Sequence, residues 1–162
     1  FETPAIGGLL LPGPQADSGP HKGTKNRPGV LAGIVSGMAS RSHYLWLGTT
    51  YQRYAKADGD RRPDVLFYSL AYAYRPESWR KDQGWDWRIF GECTGERTGV
   101  IERGGSSVPG SRGNQLFVGP STLGVYKNYG VSGGVQFAVY QNVGLLYPRE
   151  RVRVAVNFAW FF

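Results

Sequence analysis

Arg151-Val152-Arg153-Val154-Ala155-Val156-Asn157-Phe158-Ala159-Trp160-Phe161-Phe162 decides how the chain is read. In an extended strand successive side chains point to opposite faces. Val152, Val154, Val156, Phe158, Trp160 and Phe162 therefore share one face, and Arg151, Arg153, Ala155, Asn157 and Ala159 share the other. The first face suits lipid and the second suits water. A soluble sheet also alternates, but a chain terminus is where strands fray and are exposed, which is a poor place for the largest aromatics. An aromatic cluster at a membrane interface accounts for them. The stretch reads as the closing strand of an antiparallel up-and-down transmembrane β-barrel.

Composition agrees. The 162 residues allow one domain, and Gly 24, Tyr 10, Phe 8 and Trp 5 against Met 1 and Cys 1 fit β structure. No stretch reaches the roughly 18 to 20 unbroken apolar residues of a membrane-spanning helix. The mean hydropathy of -0.35 is that of a soluble protein, but in a barrel half of each strand faces the lumen and dilutes the index. Cys93 is alone, so neither an intramolecular disulfide nor a cysteine metal pair is expected. The net charge of +7 raises nucleic acid as a partner. Most of the cations fall in expected loops, among them Lys22, Lys25, Arg27, Arg61, Arg62, Arg80, Lys81, Arg103 and Arg112. No RNA-binding motif or basic helix accompanies them, so nucleic acid is not an expected partner.

Strand and turn signals alternate along the chain, the pattern of a meander. Strands are expected at about 29–39, 43–56, 64–75, 84–95, 113–124, 130–141 and 150–162. Most match or exceed the roughly 9 to 11 residues of a tilted membrane strand. Counted back from the C-terminal strand, which ends at the periplasm, the connections 40–42, 76–83 and 127–129 fall on one side. The connections 57–63, 96–112 and 142–148 fall on the other, as short periplasmic turns and longer outer loops would. Residues 1–28 are punctuated by Pro4, Gly7, Gly8, Pro12, Gly13, Pro14, Gly19 and Pro20, which predicts an outer loop or plug-like segment. The opening Phe1-Glu2-Thr3-Pro4 is not a signal peptide. Seven strands is an odd number where single-chain bacterial barrels have an even one. The expectation is therefore the C-terminal part of a larger barrel, with Phe1-Glu2-Thr3 as the tail of a further strand.

The strand over 84–95 sorts its faces most clearly. Trp85, Trp87, Ile89, Gly91 and Cys93 alternate with Asp86, Arg88, Phe90, Glu92 and Thr94. Arg or Lys on the lipid face costs about 2–4 kcal/mol near the midplane, so the charged set looks inward. Leu66, Tyr68, Leu70, Tyr72 and Tyr74 face lipid on the preceding strand. Val131, Val135, Phe137 and Val139 do so later, with Ser132, Gln136 and Tyr140 inside. Tyr44, Trp46 and Thr50 against Leu45, Leu47 and Tyr51 leave the second strand open. The candidate lumen lining is Asp86, Arg88, Glu92, Gln136, Tyr140, Arg153 and Asn157. It reads either as a salt-bridged interior that holds the wall together or as a lining that selects solutes, with Phe67 and Phe90 interleaved.

Catalysis is not expected. His21 and His43 are the only histidines, and neither has a hydrolase serine motif beside it. Asp86 and Glu92 are six residues apart on one strand, about 20 Å, too far for an acid/base dyad. Gly104-Gly105-Ser106-Ser107 precedes no helix N-terminus that could hold a phosphate, and reads as a flexible loop. No metal site or cofactor is predicted.

Gly113-Asn114-Gln115-Leu116-Phe117-Val118-Gly119-Pro120, then Gly134-Val135-Gln136-Phe137-Ala138-Val139-Tyr140-Gln141 and the alternating terminal strand, resemble the outer-membrane family of the MetA pathway of phenol degradation. Phe1-Glu2-Thr3-Pro4-Ala5-Ile6-Gly7 is similar to that family's mid-barrel strand. The resemblance implies a barrel of roughly a dozen strands and uptake of hydrophobic or aromatic compounds, with no binding residues to carry over. Phe158, Trp160 and Phe162 also resemble the signal read by the barrel-assembly machinery, although Asn157 and Ala155 stand where glycine and a polar residue are usual. The expected function is a channel or transporter for small, aromatic or hydrophobic solutes in the outer membrane of a Gram-negative bacterium, in contact with outer-membrane lipid. The alternatives are a small filled-lumen barrel whose surface loops bind a ligand, and a soluble lipocalin-like binder with the two faces inverted.

Overall fold

The structure is a computed structural model and describes residues 5–10, 28–56, 58–79, 84–147 and 149–160. It is all-β. The strands are β1 (Ala5–Leu10), β2 (Gly29–Ala39), β3 (His43–Tyr54), β4 (Val65–Tyr74), β5 (Asp86–Thr98), β6 (Glu102–Arg103), β7 (Ser106–Ser107), β8 (Gly113–Tyr126), β9 (Tyr129–Val143) and β10 (Val152–Trp160), with one 3₁₀ turn at Glu77–Trp79. All but β6 and β7 form one eight-stranded antiparallel sheet in the order β1-β2-β3-β4-β5-β8-β9-β10. Each long strand pairs with its sequence neighbour in this sheet, so the sheet is a meander. β1 and β10 are its edges and do not pair with each other.

Two expectations are corrected. Ala5–Leu10, assigned from sequence to a loop or plug, pairs residue for residue with β2 from Ala5↔Ile34 to Leu10↔Gly29. This makes eight long strands where seven were expected. Glycines at 7 and 8 mask a strand in sequence, yet they cost it no ladder bond because glycine keeps its backbone N–H and C=O. The rest of 1–28, apart from Pro28, lies outside the described residues. The second correction concerns Gly104-Gly105, which is a turn and not a flexible run. With φ of 56° and 82°, the two glycines adopt the left-handed conformations of a type I′ hairpin and join β6 to β7.

Register fixes which residues share a face. On β3, β4 and β5 the rungs Leu47↔Leu70↔Cys93 and Leu45↔Tyr72↔Gly91 lie on one face, and Trp46↔Ala71↔Glu92 on the other. The second strand, ambiguous in sequence, thereby turns Tyr44, Trp46 and Thr50 to the face that carries Glu92. One irregularity interrupts the pattern. Between Leu116↔Tyr140 and Phe117↔Ala138 the ladder of β8 and β9 has a bulge that leaves Val139 extra. Further along, Pro120, which has no N–H to donate, falls in a gap of the same register between Val118↔Phe137 and Ser121↔Gly134.

The sheet curls toward the Glu92 face. β2 and β10 are six strand spacings apart, about 29 Å if flat, yet Val35 and Arg153 line one cavity of about 220 Å³ with Phe67, Ser69 and Glu96. The concave side is therefore the one that carries Glu92, Gln136 and Arg153.

Most of the exposed large apolar side chains are on the other side. Val154, Val156, Phe158 and Trp160 are 63–77 % exposed, and Ile34, Leu47, Leu70, Tyr72, Ile89 and Phe137 of the same convex face are also exposed. Among the described residues the only buried hydrophobic side chains are Ala73, Ile101 and Phe117. Aromatic rings gather at the end of the sheet that carries the turns 40–42, 75–85 and 127–128. Trp85 stacks on Trp87 and on Tyr126, Tyr129 meets Phe158, and His43 meets Tyr74, with centroids 5.2–6.0 Å apart. His43 opens β3 within this belt and shares a 2.7 Å hydrogen bond with the Tyr72 hydroxyl.

The opposite end is closed by a built loop cap. The β6–β7 hairpin is tied to the segment after β3 by Arg61 N–H to Glu102 O at 2.9 Å and Gly105 N–H to Gly59 O at 2.8 Å. Side chains repeat the connection, since Glu102 receives Lys56 at 2.7 Å and Arg61 at 2.8 Å. Ile101 is fully buried beneath, and its N–H donates to the buried Ser111 hydroxyl.

The Lys56 hydrogen bond, followed by the charges of Arg61 and Lys56, holds the Glu102 carboxyl below the usual carboxylate range. A folded-state pKa that is depressed gives stability present above the unfolded value, near 4.3, and lost as pH falls through the folded one. Tryptic cleavage at Lys56 and Arg61 should therefore be slow at neutral pH, where the carboxylate is charged, and fast where that charge is absent. Glu102→Gln should give the fast pattern at neutral pH. Equal cleavage of both proteins would show that the cap does not depend on this carboxylate.

Candidate functional site

The concave face is the candidate site, because it carries the ionisable groups that β5, β9 and β10 place within the sheet. At the turn end, Asp86 holds two arginines: Arg75 Nε at 2.7 Å and Arg88 Nη2 at 3.1 Å. Arg75 closes the strand expected over 64–75, on its inner face, and follows directly on β4 in the structure; its pairing with Asp86 was not foreseen. Above this cluster lies an aromatic ladder. The Arg88 guanidinium sits 5.4 Å from the Tyr44 ring centroid, Tyr44 stacks on Trp46 at 5.6 Å, and Trp46 on Phe90 at 6.0 Å.

Next along the face is a polar network centred on Glu92. Its carboxylate accepts from the Ser121 hydroxyl and, at 2.9 Å, from Gln136 Nε2, while Gln136 Oε1 accepts from Thr94 Oγ1 at 2.8 Å. Three neighbouring strands of the ladder contribute, so the network ties β5 to β8 and β9. Arg153 of β10 stands beside it with its guanidinium 3.7 Å from the Phe117 centroid and paired to Glu150 at 2.6 Å. Asn157 donates to Ser132 at 3.5 Å, a long and weak bond. Phe90, Glu92, Gln136, Arg153 and Asn157 line one cavity of about 400 Å³.

Six of the seven residues expected in the lining are on this face, four in the cavity and Asp86 with Arg88 in the cluster below it. Tyr140 is not with them. The bulge at Val139 shifts the parity of the following residues, so Tyr140 pairs with Leu116 and turns to the convex face, 49 % exposed. A one-residue slip moves every later side chain to the other side, and period-two counting cannot see it. Phe158 and Trp160 of the assembly signal lie on the convex face at the turn-end rim; Phe162 lies outside the described residues. Thr94, Ser121 and Phe117 were missed as members of the site because nothing in sequence marks a hydroxyl or a ring as the partner of a distant carboxylate or guanidinium.

Chemically, the cavity can hold a small molecule between hydrogen-bonding groups and aromatic faces. Among the described residues no cluster of His, Cys, Asp and Glu could hold a metal ion. Comparison of the chain with protein-family models, curated proteins and solved structures finds no match.

The network has an energetic signature. Hydrogen bonds to charged groups contribute about 1.5–3 kcal/mol when shielded, and here the side chains are half-buried, so the lower part of the range applies. A double-mutant cycle with Glu92→Ala and Gln136→Ala should give a coupling of about 1 kcal/mol, read by urea unfolding. Asn157→Ala should change stability by less than about 0.5 kcal/mol. Additive effects of the Glu92 and Gln136 variants would mean that the two do not act as a unit.

Proposed function

We propose that this chain forms a wall of an outer-membrane β-barrel in a Gram-negative bacterium, and that its concave face lines a passive channel or transporter for small solutes, aromatic or hydrophobic ones among them. The observation that carries this reading is the partition of side chains. Large hydrophobic residues are exposed along the convex face, while ion pairs and carboxamides occupy the concave one. In water this arrangement is unfavourable, since burial gains roughly 25 cal/mol per Å² of apolar surface and the convex face forgoes it. In a bilayer the same face is solvated by hydrocarbon and the polar face by lumen water. The aromatic belt at the turn end suits a membrane interface, and the tied loop cap between β5 and β8 is at the other end.

The solute class follows from the cavity. Phe90 offers a ring face beside the Glu92–Gln136 network and Arg153, a combination suited to a small aromatic molecule with a polar substituent. The resemblance to the MetA-pathway family points to the same class. The proposed partners are outer-membrane lipid, the barrel-assembly machinery that would read Phe158, Trp160 and Phe162, and the solute. Neither enzyme activity nor nucleic-acid binding is part of the proposal.

One observation favours a second reading, a small barrel with a filled lumen and binding loops. Side chains from β2 and β10 already meet around the 220 Å³ cavity, and a closed eight-stranded barrel is only wide enough for its own side chains. Planar-bilayer recording separates the two. A channel should conduct, and Arg88→Gln with Arg153→Gln should shift its ion selectivity without loss of folding. A wild type that neither conducts nor admits aromatic solutes into vesicles would leave the filled barrel as the better account.

Membrane insertion itself is tested by adjacent residues. Leu70 pairs with Leu47 and Cys93, and Ala71 with Trp46 and Glu92. Leu70→Arg should destabilise the inserted protein by about 2–4 kcal/mol, and Ala71→Arg by much less, because the new cation would face Glu92. Urea unfolding in lipid vesicles measures both, and the reverse order would argue for a soluble fold with inverted faces.

A further inference from the structure

We infer that the convex face carries, at the rim below the loop cap, a binding site for the phosphoryl group of an anionic lipid of the outer leaflet. The inference rests on the membrane reading above. The register places Arg97, Asn114 and Asn142 side by side on β5, β8 and β9, since Arg97 pairs with Asn114 and Asn114 with Asn142. One rung nearer the middle of the sheet stand Leu116 and Tyr140. Arg112 joins the row from the segment before β8, and Arg97, Arg112, Asn114, Asn142 and Tyr140 line one cavity of about 1070 Å³ under the loop cap.

Three observations point to a phosphoryl ligand. Arg97 and Arg112 are exposed, and their guanidinium groups make no ion pair among the described residues, whereas Arg61, Arg75, Arg88 and Arg153 each hold a carboxylate. Glu102 lines the same cavity, but its two oxygens are taken by Lys56 and Arg61, so it does not neutralise the free pair. Two arginines flanked by two carboxamides form the set of donors that a tetrahedral anion takes, with the guanidinium fork matched to phosphate oxygens.

Height identifies the source. Trp87 of the aromatic belt and Arg97 lie on the same face of β5, ten residues apart. That is about 33 Å along the strand and about 25 Å once a membrane strand's tilt of about 40° is allowed for, the height of a lipid-facing band. When the belt sits at one interface, Arg97 sits at the other, level with headgroups. The bulge at Val139 serves this site, because it turns Tyr140 outward beneath the row.

The test uses the whole chain refolded into dodecyl maltoside micelles and titrated with diphosphoryl lipid A or with the same lipid after enzymatic dephosphorylation. Bound lipid is counted by native mass spectrometry. The site predicts preferential retention of the phosphorylated lipid, reduced about tenfold or more in Arg97→Gln/Arg112→Gln and unchanged in Lys127→Gln at the opposite end. Asn142→Asp, which adds a negative charge to the row and leaves both arginines, should lower retention as well. Loss of bound lipid A to millimolar inorganic phosphate would assign the donors to free phosphate and overturn the lipid as ligand. Retention that ignores the phosphates or the variants, in a protein that still inserts into vesicles, would overturn the site and leave the barrel reading intact. Failure of the wild type to insert would overturn both.

Discussion

One continuous antiparallel ladder governs the molecule, because in it every backbone pairing also decides a side chain's face. No inner strand of the sheet can turn over without reversing its register against two neighbours, so the parity set at Trp46↔Ala71↔Glu92 propagates to Arg153 and Asn157 on the edge strand β10. The ladder also satisfies the backbone groups of each inner strand on both sides, which a sheet in hydrocarbon must do. The bulge at Val139 is the one place where the chain changes parity by adding a residue, and it exchanges a concave aromatic for a convex one.

Two faces so sorted divide the chemistry. The concave face holds Asp86 between two arginines and Glu92 in a hydrogen-bonded network that spans strands, which gives a polar lining. The convex face has few interactions beyond rung neighbours and the aromatic belt. Its large side chains are exposed, as the proposed contact with lipid requires. The two ends differ too, with aromatic rings at one and, at the other, a tied cap and two arginines that make no ion pair among the described residues. A molecule asymmetric in both directions is suited to a fixed orientation across a boundary.

Much of this was legible in the residues. The seven strands expected from 29–39 to 150–162 are all present within a few residues of their expected ends, because alternation over nine or more positions is hard to mistake and the turns between them are marked by Ser, Asn and Pro. β1 was not legible, since Gly7 and Gly8 have no side chains with which to alternate. Nor was Tyr140, because a bulge depends on pairing with a partner strand and leaves no trace in one strand alone. The partners of the site's charged residues were legible only where they too were charged and regularly placed. Thus the inward placing of Asp86, Arg88 and Arg75 could be anticipated, whereas the pairing of Arg75 with Asp86, and the parts of Ser121 and the ring of Phe117, required the assembled sheet. The row Arg97, Asn114 and Asn142 needed register across three strands.

The account's central claim is that the convex face meets lipid and the concave face meets water. Nitroxide labels placed one at a time at positions 154, 155, 156 and 157 of β10, in a Cys93→Ala background and in lipid vesicles, test it residue by residue. Relaxation by oxygen, which concentrates in hydrocarbon, should peak at Val154 and Val156, and relaxation by a water-soluble nickel chelate should peak at Ala155 and Asn157. No alternation along the strand, or alternation with the two reagents exchanged, would contradict the account.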